Sequence, residues 1–347
     1  MNLNLSSVFR IIGIVMAVIS LSMLPSVIVS FIYDDSSIYI PFLMTMLIAG
    51  AIGILLMKLC QYRMQHLKVR DGFLIVTLCW LISAILGAVP FVITDSIPHF
   101  ADAFFESCSG FSTTGSTVLA EPELLPKGIL FWRSFTHWIG GMGILIFAIA
   151  LMPSLGISGQ NIAVSEAPGP SLDKVTPKMS DTAKTLYIIY LLFRIIETIM
   201  LMLGGMSLYD SLITSFGSVG TGGLSNYSDS IGHFDSTYIR MVITAFMFLC
   251  GVNFNLYFLS LKHGLKTFTR DSEFKLYVFV FAAASLFIFA ALLISGQYDE
   301  VLPAFSDSVF QVSSILTTTG FITADYETWP IVCQMVLLML MFIGGCS

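Results

Sequence analysis

Charge is what this sequence has least of. Its 347 residues include 16 Lys and Arg and 22 Asp and Glu, 11% in all, against about a quarter in soluble domains. That scarcity excludes a soluble globular chain. The formal net charge of −6 belongs to no basic cluster of the kind that binds nucleic acid. Six cysteines (Cys60, Cys79, Cys108, Cys250, Cys333, Cys346) are scattered, most of them inside apolar runs. None forms a CxxC or stands at metal-type spacing from a histidine, so they read as small buried hydrophobes. The five histidines (His66, His99, His137, His233, His263) enter no HExxH or GxSxG string, which argues against an intramembrane hydrolase. No GxGxxG follows a strand and no GxxxxGK[ST] is present, so any nucleotide control would have to come from a partner.

What is abundant is apolar sequence. Hydrophobic residues make up 56% of the chain, mean hydropathy is +0.87, and the sequence predicts a polytopic membrane protein. Runs long enough to cross a bilayer cover 8–33, 38–58, 72–94, 128–152, 185–205, 237–261, 275–296 and 330 to the end. The first run, Ile11 to Ile32, is long for a signal-peptide core and lacks a small-residue cleavage site, so it counts as a span. The connections alternate in charge. Lys58, Arg63, Lys68 and Arg70, then Lys174, Lys178 and Lys184, then Lys262, Lys266, Arg270 and Lys275 mark one side. Asp and Glu dominate the other, with Lys127 the lone exception. The Lys/Arg bias places the amino terminus, with Arg10, in the cytoplasm. The run 153–184, rich in Pro and Gly, reads as a surface loop or a contact for a cytoplasmic partner.

One pattern recurs three times on the acidic side: SGFSTTGST at Ser109–Thr117, GSVGTGGLS at Gly217–Ser225 and SILTTTGFIT at Ser314–Thr323. Each closes on a glycine, Gly115, Gly223 and Gly320, spaced 108 and 97 residues apart. An acid stands thirteen positions before each: Asp102, Asp210 and Asp307. Around each acid and before each glycine lie amphipathic segments, 101–111, 208–218 and 303–316, too short to span and therefore re-entrant or interfacial. The unit is a divergent repeat of helix, short helix, glycine loop, helix. One such string is ordinary turn sequence; three at matched positions are a design. Extended backbone whose carbonyls face one axis replaces the water around a dehydrated cation. Glycine supplies the positive φ this requires, hydroxyls satisfy the flanks, and a short helix ending there aims its negative end at the ion.

These loops, the run Phe131-Trp132-Arg133-Ser134-Phe135-Thr136-His137-Trp138-Ile139-Gly140-Gly141-Met142-Gly143 and the TTTGF at 317–321 resemble the TrkH family of the Trk/Ktr/HKT superfamily of potassium transporters. The resemblance runs the length of the chain. It implies an all-α polytopic fold with pseudo-fourfold helix–pore loop–helix repeats around a central pore and an extra N-terminal helix pair. The pair would be 1–58, with repeats at 59–152, 153–262 and 263–347, and a fourth repeat absent from this sequence. It implies a K+ selectivity filter of Ser112, Thr113, Thr114 and Gly115, of Gly220, Thr221, Gly222 and Gly223, and of Thr317, Thr318, Thr319 and Gly320. A gate at Gly344, Gly345, Cys346 and Ser347 would interrupt the third inner helix beneath the filter. K+ would be the transported ion, with no organic cofactor on this chain. The resemblance further implies a homodimer in the bacterial inner membrane with a cytoplasmic TrkA-like subunit that binds NAD, ATP or ADP. A non-conducting scaffold and an intramembrane enzyme are the alternatives.

Other residues carry smaller expectations. Gly140, Gly141 and Gly143 suit close helix packing or a hinge. Arg194 and Glu197, three apart inside a span, read as a structural ion pair rather than an ion-coupling site. Arg133, His137 and Arg240 begin inner helices and read as anchors of the loops. Asp102, Asp210 and Asp307 read as caps of the short helices.

Overall fold

The computed structural model describes residues 5–34, 36–60, 69–141, 143 and 179–344. All regular structure among them is helical, as expected of backbone that has to satisfy its own hydrogen bonds in lipid. In chain order the helices are α1 (Leu5–Ser22), α2 (Leu24–Tyr33), α3 (Ser36–Leu59), α4 (Val69–Ile93), α5 (Phe100–Phe111), α6 (Lys127–Gly141), α7 (Met179–Leu203), α8 (Leu208–Val219), α9 (Thr237–Cys250), α10 (Phe254–His263), α11 (Lys266–Arg270), α12 (Ser272–Ile294), α13 (Val301–Leu316) and α14 (Ile331–Gly344). Five stretches, 5–33, 36–59, 70–93, 184–203 and 272–294, are long and apolar enough to cross a membrane among the described residues. The chain divides into two units, one of Met1–Ser112, Ser116–Leu119 and Leu124–Ile188, the other of Thr113–Gly115, Ala120–Glu123 and Ile189–Ser347.

In the first unit α1 lies along α3 at glycine distance. A Cβ on Gly13 would stand 2.7 Å from the Gly53 carbonyl oxygen, and one on Gly53 would stand 2.8 Å from that of Gly13. Small residues let the two backbones meet where lipid offers no hydrophobic drive to associate. Pro25 in the first turn of α2 ends α1 at Met23. Asp34, just past α2, takes up the amides of Lys127 (3.1 Å) and Gly128 (2.8 Å) that open α6. The short helix α5 sits between α4 and α6. Phe111 and Trp132 meet edge to face at 6.2 Å, and the Trp132 indole donates to the Gly87 carbonyl at 3.0 Å. A Cβ on Gly140 would run into the Phe111 carbonyl, so Gly140 serves close packing of α6 on the end of α5.

In the second unit, the expected straight span 237–261 is broken. α9 and α10 meet at 80° across Gly251–Asn253. Such a break frees carbonyls that water cannot reach. Two tyrosines supply the donors: Tyr277 to Phe248 at 3.0 Å and Tyr257 to Leu249 at 2.6 Å. The Tyr277 hydroxyl lies 2.6 Å from where a Gly251 Cβ would be, so glycine is what admits the donor. One core cluster joins Leu201, Ile243, Met247, Phe310 and Phe321; another joins Ile288, Leu292, Val312, Cys333 and Leu337 on α12, α13 and α14. Of the expected span 128–152, Lys127–Gly141 is helical and the remainder lies, apart from Gly143, outside the described residues, as does the loop 153–178.

Gly13→Val should force α1 off α3. Overpacking of this kind costs about 1–3 kcal/mol, read as a lower melting temperature in detergent.

Candidate ion pathway

Three short helices end in three loops of one backbone form. α5 is closed by Ser112, α8 by Gly220 and α13 by Thr317. The next residue is in each case a threonine with positive φ: Thr113 (53°), Thr221 (50°) and Thr318 (58°). Two residues on, the glycine is positive as well: Gly115 (77°), Gly223 (70°) and Gly320 (84°). A β-branched residue in this region is a genuine outlier, held only where surroundings over-determine it. Here the same outlier occurs three times at the same place in the repeat. The short helices run over 100–111, 208–219 and 301–316, close to the segments the sequence predicts.

Hydrogen bonds explain how the loops stay open. In the second loop the amides of Gly222 (2.8 Å) and Gly223 (3.3 Å) both donate to the Gly217 carbonyl on α8. In the third, those of Thr319 (2.8 Å) and Gly320 (3.3 Å) both donate to the Ser314 carbonyl on α13. With these amides tied back to the helix, carbonyls are left to face elsewhere. A Cβ on Gly115 would run into the Gly222 carbonyl and stand 3.7 Å from that of Thr319; one on Gly223 would run into Thr319. Carbonyl oxygens from the second and third strands therefore converge beside the glycine of the first. Both Gly115 and Gly223 are required twice, by φ and by space.

A carboxylate on each short helix holds the chain that leaves the glycine. In the first unit Glu106, 1% exposed, accepts from the Arg133 guanidinium on α6, the Thr117 hydroxyl (2.9 Å) and the Val118 amide (3.1 Å). Asp210 accepts from Asn226 (3.4 Å) and the Tyr227 hydroxyl (3.3 Å). Asp307 accepts from Thr323 (3.0 Å), Tyr298 (2.9 Å) and Arg240 (3.5 Å). Arg133 and Arg240 thus make the anchoring contacts expected of them, and His137 is wholly buried.

The capping expectation needs correction. Ser207 is the cap of α8, accepting the Asp210 amide, and Asp210 sits in the first turn with its carboxylate on the Ser207 hydroxyl. Asp102 is in the first turn of α5 with no side-chain cap bond at that end. Asp307 is buried well inside α13, which begins at Val301. The strand-holding role in repeat 1 belongs to Glu106, the one charged residue in the FFESCSGF segment, which is the signal for it. The expected Arg194–Glu197 ion pair is also absent. Arg194 lies over the Phe216 ring at 3.6 Å, and Glu197 accepts from the Ser218 hydroxyl on α8 at 2.6 Å. Both of these contacts are with α8.

Past the glycines the loops tie to one another. Glu123 accepts the Ser228 amide (3.1 Å) and hydroxyl (2.8 Å); its own backbone amide, first, and Ser228 hold its carboxyl below the usual range. The Ile231 (3.0 Å) and Gly232 (3.1 Å) amides both donate to Ile322. At the other end of the third repeat, a Cβ on Gly344 would run into the Leu316 carbonyl, so α14 ends against the last turn of α13. Gly345, Cys346 and Ser347, the rest of the expected gate, lie outside the described residues.

A membrane protein, helical throughout its described residues, with several apolar spans and three short helices that each lead into a glycine loop, is a transporter of ions by class. A family model described as cation transport protein, TrkH, matches residues 40–347. The Trk system potassium uptake protein TrkH of Vibrio parahaemolyticus is 38% identical over 347 residues, covering 98% of this chain and 71% of that protein. Its namesake in Escherichia coli K12 is 37% identical, covering 99% and 72%. The crystal structure of the potassium transporter TrkH from Vibrio parahaemolyticus superposes with a TM-score of 0.84 at 35% identity, over 97% of this chain and 69% of that one. The chain belongs to the TrkH family of cation transport proteins. That membership removes the intramembrane-enzyme alternative.

Removing one member of a buried ion pair leaves the other charge uncompensated, at a cost of about 3–5 kcal/mol. Glu106→Ala should therefore lower folded yield sharply by size-exclusion chromatography, and Glu106→Met with Arg133→Met should recover much of it.

Proposed function

We propose that the protein carries K+ across the membrane through a filter formed by Ser112–Gly115, Gly220–Gly223 and Thr317–Gly320. The observation that carries this is the convergence of the Gly222 and Thr319 carbonyls beside Gly115, with the same Thr/Gly backbone outlier in all three strands. The relatives named for potassium uptake supply the ion. Carbonyl oxygens replace the hydration shell, and the C-terminal ends of α5, α8 and α13 add favourable potential for a cation. One signature glycine of positive φ per strand, Gly115, Gly223 and Gly320, gives fewer ion sites than several would.

The organisation that goes with this reading is a helix pair at 1–58 and repeats at 59–152, 153–262 and 263–347. The gate is at Gly344–Ser347, supported by the contact of Gly344 with the end of α13 beneath the third strand. The amino terminus is cytoplasmic and the glycine loops face outside, supported by the Lys/Arg bias of the connections. The assembly is a homodimer in the bacterial inner membrane with a TrkA-like regulatory subunit that binds NAD, ATP or ADP. Nucleotide control rests with that subunit.

The test is growth and uptake in cells lacking their own potassium systems, at low potassium, with the full-length protein. Gly115→Ser should relax preference toward Na+, because a side chain there displaces the Gly222 carbonyl. Unchanged preference would make the loops packing elements and place the pore elsewhere.

A further inference from the structure

The three repeats can be compared atom by atom, and one of them differs. Six residues before the filter glycine stand Ser109, Gly217 and Ser314. The Ser109 hydroxyl donates to the Ser116 carbonyl at 2.6 Å and the Ser314 hydroxyl to the Phe321 carbonyl at 2.7 Å. In both cases the acceptor is the residue just past the glycine. A serine on the short helix thereby fixes where the strand leaves the filter.

Repeat 2 has no hydroxyl at this place. The matching carbonyl, Leu224, lies 3.3 Å from where a Gly217 Cβ would stand, within reach of a side chain that is not there. Gly217 lies inside α8 and has no positive φ, so conformation does not demand glycine. Space does: the tip of the Phe321 ring lies 2.6 Å from that Cβ position. Phe321 is 1% exposed and belongs to the cluster around Ile243, Met247 and Phe310. Its carbonyl is held by α13 and its ring is seated on α8. It is also the residue next to the third filter glycine. One side chain thus joins the second and third filter strands.

We propose that Phe321 is a specificity-determining positioning residue: its ring, seated on Gly217, replaces in repeat 2 the serine brace of the other strands and fixes the spacing of filter strands 2 and 3. The proposal rests on the filter reading above. Discrimination between K+ and Na+ depends on the number and field of carbonyls held at a given spacing. A small loosening there changes preference without unfolding the protein.

The experiment is the K+/Na+ uptake ratio of the purified full-length protein in liposomes. Phe321→Leu keeps an apolar side chain of similar size, so it should fold, yet its ratio should fall by about tenfold, the scale of coupling between residues in contact. Gly217→Ser places a side chain against the ring and should lower the ratio likewise. The double variant Gly217→Ser with Phe321→Leu should regain most of the ratio, since the new hydroxyl can now donate to Leu224. An unchanged ratio in Phe321→Leu overturns the proposal, even if Gly217→Ser fails to fold. So does a double variant whose loss equals the sum of the singles. Gly115→Ser separates the two readings. If it shifts the ratio and Phe321→Leu does not, only the brace fails; if neither shifts it, the filter reading fails with it.

Discussion

A glycine loop at membrane depth can stay extended only if its amides find acceptors, because water is not available to them. In the second and third loops the acceptors are carbonyls of the short helix that precedes them. The Gly217 carbonyl takes two amides and the Ser314 carbonyl takes two. Everything that makes the site plausible follows from that tie. It turns the opposite edge of the strand toward the space beside Gly115. It forces the positive φ at Thr221 and Thr318. It also requires that the short helix be rigid, since any tilt of the helix moves the strand with it.

The rest of the fold supplies that rigidity by burying polar groups in pairs. Glu106 with Arg133, and Asp307 with Arg240, Tyr298 and Thr323, join short helix, inner helix and exit strand. A buried pair of charges contributes little net stability against an apolar replacement, but breaking one partner is costly. Its value here is geometric: it specifies one position for the strand. The same logic operates at the break between α9 and α10. Tyr257 and Tyr277 supply donors to the Leu249 and Phe248 carbonyls that the bend at Gly251 frees.

Much of this was legible from the chain alone. The glycine repeat, its hydroxyls and the short amphipathic segments located α5, α8 and α13 to within two residues at each end. These are local signals, set by period and by the few residues that tolerate a given φ. The bend at Gly251–Asn253 was not legible, because glycine within an apolar run is common and the donors lie six residues on and on another helix. Asp34 gave no hint that it would take up the amides of Lys127 and Gly128, ninety-three and ninety-four positions away. Counting acids thirteen positions before each glycine found Asp102, Asp210 and Asp307, whereas the strand-holding groups are Glu106, Asp210 and Asp307. Equal spacing does not force equal contacts: Asp102 and Asp210 each stand two residues into their helices, yet the exit strand meets Asp210 in one repeat and Glu106 in the other.

The sequence by itself determined that the chain lives in a membrane, how many apolar runs it has, and that three glycine loops recur in one setting. Hydropathy and the backbone freedom of glycine are properties of residues, readable without neighbours. Only the tertiary structure decided which buried charge meets which. Arg194 turned to Phe216 and Glu197 to Ser218, though the two are three apart on one helix. It also decided that Gly222 and Thr319 converge beside Gly115, and that Phe321 sits on Gly217. Those contacts join residues about one hundred to two hundred positions apart, and their partners are fixed by how the helices pack, which no local pattern encodes.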